Sequence, residues 1–194
     1  MGDAAQEDRV ARALGAVPRA PFLPPALRRQ AGLDAPVPIG HGQTNSQPFT
    51  VATMLGLLDV HPGQRVLDVG AGSGWTTALL AHLVGAEGRV IGVERHEALI
   101  GPSRRALTDG GFGEVAEIRL ARAGVLGVPQ EAPFDRILVS AEARALPPSL
   151  VDQLADDGVM VIPVGSEMRR VERRGEDLID TGHGAFRFVP LVED

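Results

Sequence analysis

Hydrophobic residues along this chain form short continuous runs that alternate with segments of helical spacing. Between the runs, apolar residues recur every three or four positions over 75–84 and 97–108, a spacing that predicts helices. The runs themselves predict buried strands, and they lie at 65–69, 89–93, 115–120, 134–141 and 159–164. Buried strands that alternate with helices are typical of an α/β fold with a mostly parallel central sheet and helices on both faces.

Both ends of the chain depart from this alternation. Helices are predicted over 6–17, 26–31 and 48–58, with a proline-rich connector after the first. Beyond the fourth strand, a helix is predicted over 149–154, and short antiparallel strands are predicted around 169–173, 178–179 and 186–189. We expect a single domain over 1–194, in which 1–60 supply N-terminal helices and a loop, and 61–194 supply a Rossmann-like core with an antiparallel C-terminal hairpin.

A glycine-rich turn (residues 70–74, the glycine turn) separates the first strand of the core from its helix. Its spacing is G-x-G-x-G, and Asp68 precedes it by two residues. A dinucleotide-binding fingerprint needs a third glycine where this chain has Trp75. The next strand ends at Glu94, and a carboxylate there can accept hydrogen bonds from both hydroxyls of a ribose. The pattern favours a site for an adenosine-type cofactor that is not a dinucleotide. The less favoured alternative is a βαβ unit with a glycine turn and no ligand.

A second polar segment (residues 36–47, the polar loop) precedes the helix predicted over 48–58. Thr44, Asn45 and Ser46 are residue types that often cap helices, and composition alone favours a capped helix after a loop. The alternative is a loop whose hydroxyl and N–H groups face the cofactor.

The glycine turn and the polar loop together carry a resemblance to known enzymes. The spacing around residues 68–75 resembles motif I of the S-adenosylmethionine (AdoMet) methyltransferases. Residues 38–48 closely resemble the signature loop of the protein-L-isoaspartate O-methyltransferases. Further matches to that family lie, in order, at 17–19, 22–24, 132–137, 161–165 and 188–191.

The resemblance implies roles for residues around both segments. Ser46 is implied to be the active-site serine, which positions the substrate carboxylate, and Thr44 and Asn45 are implied to add substrate contacts. The family normally has an apolar residue at the position of Asn45. The residues implied to bind AdoMet are Gln43, Thr44, Asp68, Gly70, Ala71, Gly72, Gly74, Trp75, Glu94, Arg95, Ala123 and Gly124.

Two further positions depart from the family pattern. The third strand is normally followed by Gly-Asp-Gly, whose acidic residue reaches the adenine, and this chain has Arg122-Ala123-Gly124. Loss of a hydrogen bond to a charged group costs on the order of 1.5–3 kcal/mol, so AdoMet affinity is expected to be low. The family also has a longer loop after Pro-Val-Gly, whereas here Gly165 leads directly into the predicted hairpin.

The implied reaction moves a methyl group from AdoMet to an isoaspartyl carboxylate of a damaged protein or peptide, which initiates repair. A carboxylate is already ionised at neutral pH, with a pKa of about 4, so the reaction needs no general base and no metal. Two alternatives remain open at this point. The altered loop after Gly165 favours an enzyme that methylates an aspartate in one dedicated peptide, and the missing acidic residue at Ala123 favours an AdoMet-binding module without turnover.

Composition and charge exclude several kinds of site and partner. The chain has 194 residues, a net charge of −6, no cysteine and no basic tract that would predict nucleic-acid binding. Its five histidines lack metal-ligand spacing. The sequence has no apolar run long enough for a membrane span and no secretory signal. We therefore expect a cytoplasmic protein that binds neither nucleic acid nor membrane. The resemblance implies isoaspartyl-containing proteins or peptides as partners, and we expect a monomer.

Overall fold

The computed structural model describes residues 2–192, which form helices around one large sheet. The helices are α1 (Gly2–Ala16), α2 (Pro48–Leu58), α3 (Trp75–Val84), α4 (Glu97–Asp109) and α5 (Pro148–Val151). The strands are β1 (Val37–Gly40), β2 (Gln43–Asn45), β3 (Arg65–Val69), β4 (Arg89–Glu94), β5 (Ala116–Leu120), β6 (Phe134–Val139), β7 (Leu154–Val164), β8 (Glu167–Arg174) and β9 (Asp177–Ala185).

The large sheet contains seven strands in the order β5-β4-β3-β6-β7-β8-β9. The first five are parallel, whereas β8 and β9 join antiparallel, as the sequence predicted. The chain leaves β3 toward β4 on one side and returns to β6 on the other, so the direction of strand order reverses at β3. In open α/β sheets, ligands bind outside the carboxyl ends of the strands at such a reversal. A ligand site is therefore expected at the residues that follow β3, β4, β5 and β6.

Alternate residues of the central strands pack against opposite faces of the sheet. Val66 faces a cluster that contains buried residues of α1, α2, α3 and α4, whereas its neighbour Leu67 faces a second cluster. The second cluster is closed by Leu150 of α5 and by the loops that lead into and out of β6. The four longer helices thus cover one face, and the other face, where the one-turn helix α5 lies, is covered mainly by loops.

The structure corrects the prediction of a helix over 149–154. Helix α5 ends at Val151, and β7 already begins at Leu154, where the Phe134 N–H donates to the Gln153 carbonyl. The Gln153 side chain is buried and bonds backbone groups of a neighbouring loop. An irregularity before Val159, with Asp157 at φ 60°, then restores the register with β6.

A strand predicted over 186–189 is also wrong. Strand β9 ends at Ala185, and the chain then crosses to the carboxyl end of β6. There the Glu142 N–H donates to the Val189 carbonyl, and the Leu191 N–H donates to the Glu142 carbonyl. The C-terminal segment therefore lies at the carboxyl ends of the parallel strands and not at the edge of the hairpin.

Candidate active site

A cavity of about 530 Å³ opens at the carboxyl ends of the parallel strands, a size typical of small-molecule sites. Four parts of the chain line it: the polar loop with the start of α2, the glycine turn, the ends of β4 to β6, and the C-terminal segment. Of the residues that the sequence assigned to a site, the cavity wall contains Gln43, Thr44, Asn45, Ser46, Gly70, Ala71, Gly72, Trp75, Glu94, Arg95, Ala123 and Gly124.

Backbone conformation explains the glycines of the turn. Gly70 and Gly72 have φ of 82° and 54°, in the left-handed region that side chains rarely adopt. A Cβ on Gly72 would also lie 3.2 Å from the Ile39 side chain, so glycine here lets the polar loop pack against the turn. Gly74 is absent from the cavity wall and precedes α3, where a Cβ would lie 3.1 Å from Ile118.

Glu94 ends β4 inside the cavity and is 4% exposed. Its Oε2 accepts from the Gly72 N–H at 2.9 Å, and its Oε1 accepts from the His96 N–H at 2.8 Å. These bonds fix the carboxylate, and because an ionised carboxylate offers about four acceptor sites, two remain for a ligand. This geometry fits the pair of hydroxyl donors that a ribose presents.

Asp68 lies beneath the glycine turn and is completely buried, so its carboxylate is absent from the cavity wall. Its Oδ2 accepts from the hydroxyls of Thr76 and Thr77, while Oδ1 finds no partner in the described part of the chain. Burial raises the pKa of Asp68 to about 6, the two threonine bonds oppose the shift, and the charge of Glu94 adds to it. A buried carboxylate with an unpaired oxygen is costly, so this group suits a cationic neighbour.

The polar loop forms the hairpin β1–β2, and its residues 43–46 enter the cavity wall. The prediction that Thr44, Asn45 or Ser46 caps α2 is wrong. The N-cap is Gln47, without a side-chain bond to the helix, and the Phe49 N–H instead donates to Asp34 Oδ1 at 2.8 Å. Because Asp34 caps the helix, the half-buried Ser46 hydroxyl is not required there.

Asn45 is 6% exposed, and its side chain points between two neighbours. Its Oδ1 accepts from Arg19 Nε at 2.6 Å, and its Nδ2 donates to Ser73 Oγ at 3.0 Å. The buried Arg19 also lies over the ring of Trp75, 5.5 Å from the centroid. Asn45 therefore joins the polar loop to the glycine turn, a contact that its implied substrate role did not anticipate.

The indole of Trp75 belongs as much to the core as to the cavity. It is 3% exposed, and its Nε1 donates to the Val17 carbonyl at 3.0 Å, which fixes the end of α1 against the glycine turn. His41 and His96 stack with ring centroids 5.5 Å apart. No pattern in the sequence indicated that contact, because the two residues lie far apart along the chain.

Sequence reasoning missed several residues of the cavity wall. Ser73 is the second of the two non-glycine positions in the glycine turn, and its hydroxyl was the only signal in the sequence. Residues 187–192 enter the wall because the C-terminal segment crosses to β6. Residues 125–127 follow Gly124, and the buried Gln153 side chain holds them by donating to the Leu126 carbonyl and accepting from the Val128 N–H.

The chain is similar to known proteins in both sequence and structure. A model of the protein-L-isoaspartate(D-aspartate) O-methyltransferase family matches residues 2–194. The chain belongs to this family. A protein-L-isoaspartate O-methyltransferase of Methanopyrus kandleri is 46% identical over 192 residues, which are 96% of this chain and 84% of the relative. One from Methanocella arvoryzae is 44% identical over 179 residues, 91% of this chain and 94% of the relative.

A solved structure agrees with the family assignment. A protein from Plasmodium falciparum, described as a putative protein-L-isoaspartate O-methyltransferase in complex with S-adenosyl-L-homocysteine, superposes with a TM-score of 0.85. It is 27% identical, and the match covers 96% of this chain and 91% of that protein. Among the described residues, no helix has the length and apolar character of a membrane span.

Proposed function

We propose that this chain transfers a methyl group from AdoMet to the carboxylate of isoaspartyl residues in damaged proteins or peptides. One observation carries the proposal: the Ser46 hydroxyl, the glycine turn and the Glu94 carboxylate line the same cavity. An adenosine-binding wall and a hydroxyl for a carboxylate substrate thus meet in one space. The family membership and the names of the similar proteins support the same reaction.

The cofactor half of the site uses groups at the ends of β3, β4 and β5. Glu94 would accept from the ribose hydroxyls, and the buried Asp68 would favour the cationic amino group of the methionine portion. Gln43, Thr44, Arg95 and the indole of Trp75 would form the remaining walls, and backbone groups of Ala123 and Gly124 would contact the adenine edge. When bound, AdoMet supplies the electrophilic methyl group on a sulfonium.

The substrate half needs a positioning group and no base. The acceptor carboxylate has a pKa of about 4 in water and is ionised at neutral pH. A negative nucleophile and a positive methyl donor lose charge together, so alignment in a site with little water lowers the barrier. Ser46 would donate to one carboxylate oxygen and leave the other directed at the methyl group, with Thr44 beside it. Misplacement by one methylene, as in a normal aspartyl residue, would lose this alignment.

Methyl transfer to matched peptides tests the proposal. Radiolabelled AdoMet is incubated with an isoaspartyl peptide and with its aspartyl twin, and the label in each peptide is counted. We expect label in the isoaspartyl peptide alone, and little with the Ser46→Ala variant. Equal labelling of both peptides, or tight cofactor binding without any turnover, would contradict the proposal; the second result would favour a binding module.

A second candidate, an enzyme for one dedicated peptide, has one observation in its favour. Gly165 and Ser166, with φ of 55° and 66°, close β7 onto β8 in a tight turn where the family has a longer loop. Less of the chain is therefore available beside the cavity to contact a substrate. A panel of isoaspartyl peptides with varied flanks distinguishes the candidates, because general repair predicts similar rates and a dedicated enzyme predicts one dominant substrate.

The proposal includes a monomer that acts in the cytoplasm. Size-exclusion chromatography with light scattering tests the monomer, and a stable dimer at assay concentrations would contradict it.

A further inference from the structure

The C-terminal segment that crosses to β6 is held by backbone bonds on both sides of Arg187. Before it, the Phe186 N–H donates to the Ser166 carbonyl at 2.9 Å. After it, the Val189 carbonyl accepts from the Glu142 N–H at 2.8 Å. Arg187 itself is exposed and belongs to the cavity wall. Its backbone is therefore fixed beside the cavity, and a ligand there can contact its side chain.

The charged residues of the described cavity wall are mostly cations. They are Arg95, Arg122 and Arg187, against the single carboxylate of Glu94. This ratio of three to one is the reverse of the balance in the whole chain, which has 19 basic and 25 acidic residues. Within residues 2–192, Arg187 forms no ion pair. The wall therefore favours anionic groups, and the charge of Arg187 is available to one.

The order of the strands separates Arg187 from the site that fits a ribose. Glu94 ends β4, and Arg95 and Arg122 follow β4 and β5, which lie together on one side of β3. Arg187 lies on the other side of β3, next to the residues that follow β6. Of the three cations on the described wall, Arg187 is thus the one that lies away from the ribose end, where a substrate has room.

The carboxylate that accepts the methyl group is a poor partner for this cation. It loses its negative charge during the transfer, so a guanidinium bound to it would stabilise the reactant more than the transition state. A carboxylate that keeps its charge throughout the reaction has no such disadvantage. A polypeptide substrate has such groups in the acidic side chains near its isoaspartyl residue and, in a short peptide, at its C-terminus.

We infer that Arg187 is a specificity-determining residue that binds a second carboxylate of the substrate, one that is not methylated. The inference rests on the proposed function and adds a preference for negative charge to the selectivity for isoaspartyl residues. Because Arg187 is exposed, the pair should have the strength of a surface ion pair. This strength corresponds to a KM that is roughly two- to fivefold lower for a substrate with the second carboxylate.

Steady-state methylation of matched isoaspartyl peptides tests the inference. One set has an amidated C-terminus and differs only in glutamate or glutamine, placed directly before or directly after the isoaspartyl residue. A second set has glutamine at both places and ends shortly after the isoaspartyl residue, with either a carboxylate or an amide. At low salt, we expect the wild type to have the lower KM for the charged member of at least one pair, with kcat unchanged. The pair that shows the difference identifies the source of the carboxylate.

Substitutions at Arg187 assign the preference to its charge. Arg187→Gln should abolish the difference in KM, Arg187→Lys should keep most of it, and Arg187→Glu should reverse it. The matched control is Arg105→Gln, which removes the same charge from an exposed position of α4 outside the described cavity wall and should keep the preference. Because the Debye length is about 3 Å at 1 M salt, the preference of the wild type should shrink at that concentration.

Equal or higher KM values of the wild type for the charged member of every pair would overturn the inference. A preference that Arg187→Gln leaves unchanged would overturn it as well. So would a rise in KM that is equal for charged and neutral peptides in Arg187→Gln, because Arg187 would then only maintain the shape of the wall. If the wild type methylates no isoaspartyl peptide, the proposed function itself fails, whereas methylation without a charge preference refutes only the role of Arg187.

Discussion

Replacement of Asp68 by asparagine should stabilise this protein at neutral pH. The carboxylate is completely buried, and its pKa is raised to about 6 from an ordinary value of 3.8. Between these two values the folded chain binds more protons than the unfolded chain. Stability therefore falls as pH rises through this window and stays lower above it. Each pKa unit corresponds to about 1.36 kcal/mol, so the charged carboxylate costs about 3 kcal/mol at neutral pH.

Asparagine removes this cost and keeps the local bonds. Its Oδ1 can accept from the hydroxyls of Thr76 and Thr77, as Oδ2 of Asp68 does, and its Nδ2 occupies the position of an oxygen that is already unpaired. For a protein of this size, 1 kcal/mol shifts the melting temperature by about 2–4 °C. We therefore expect Asp68→Asn to melt roughly 6–12 °C above the wild type at pH 7.5 and to lose this advantage below about pH 4.

Thermal unfolding without ligand between about pH 4 and pH 8 measures the effect. The difference in melting temperature between Asp68→Asn and the wild type should grow between about pH 4 and pH 6. The exposed Asp8, changed to asparagine, provides the matched control and should give no such pH-dependent difference. A difference that is constant with pH, or a variant that melts lower than the wild type at neutral pH, would refute the reasoning.

The Asp68→Asn variant also tests whether the destabilising charge of Asp68 contributes to cofactor binding. If ionised Asp68 favours the amino group of the cofactor, Asp68→Asn should bind S-adenosylhomocysteine at least about tenfold more weakly despite its higher melting temperature. A destabilising group retained for binding is a common form of the trade-off between stability and activity. Unchanged affinity would mean that Asp68 serves only the fold of the glycine turn.

Three other substitutions separate binding, turnover and stability. Ser46→Ala should lower kcat/KM in the methylation assay roughly ten- to a thousandfold, which corresponds to about 1.4–4 kcal/mol. Its melting temperature should change little because Ser46 does not cap α2. Asp34→Ala should cost about 0.5–2 kcal/mol in chemical denaturation because Asp34 provides that cap, and Asp34→Asn should restore most of it. Glu94→Ala should weaken S-adenosylhomocysteine binding by roughly ten- to a hundredfold in calorimetry, and a loss of stability without a loss of affinity would refute its ribose role.

Sequence patterns predicted the features that depend on residues close together along the chain. The parallel strands β3 to β6, the bounds of α2 and the glycine turn all follow from apolar runs, periodicity and glycine spacing, and the structure confirms them. The family resemblance, confirmed by the comparisons, rested on the same local motifs.

Features that depend on distant contacts were predicted wrongly or missed. Local composition suggested a cap for α2 from residues 44–46, but the acceptor is Asp34, 15 positions before the N–H that it binds. The helix before β7 is shorter than predicted because the chain already pairs with β6 at Leu154, 20 positions from its partner Phe134. Ser73 was missed because its contact with Asn45, and through it with Arg19, exists only in the tertiary structure. Periodicity contains no information about such pairs.

The contacts of Arg19 have a consequence for local opening of the fold. One guanidinium holds the carbonyls of Leu33, Ala35 and Asn45, and thus fastens the hairpin β1–β2 and the segment before it to one point. Amide hydrogens in residues 33–45 should therefore exchange with solvent as one cooperative unit, with a shared opening free energy below that of global unfolding. This part of the cavity wall, which includes residues 43–45, would then open as a single piece and not residue by residue.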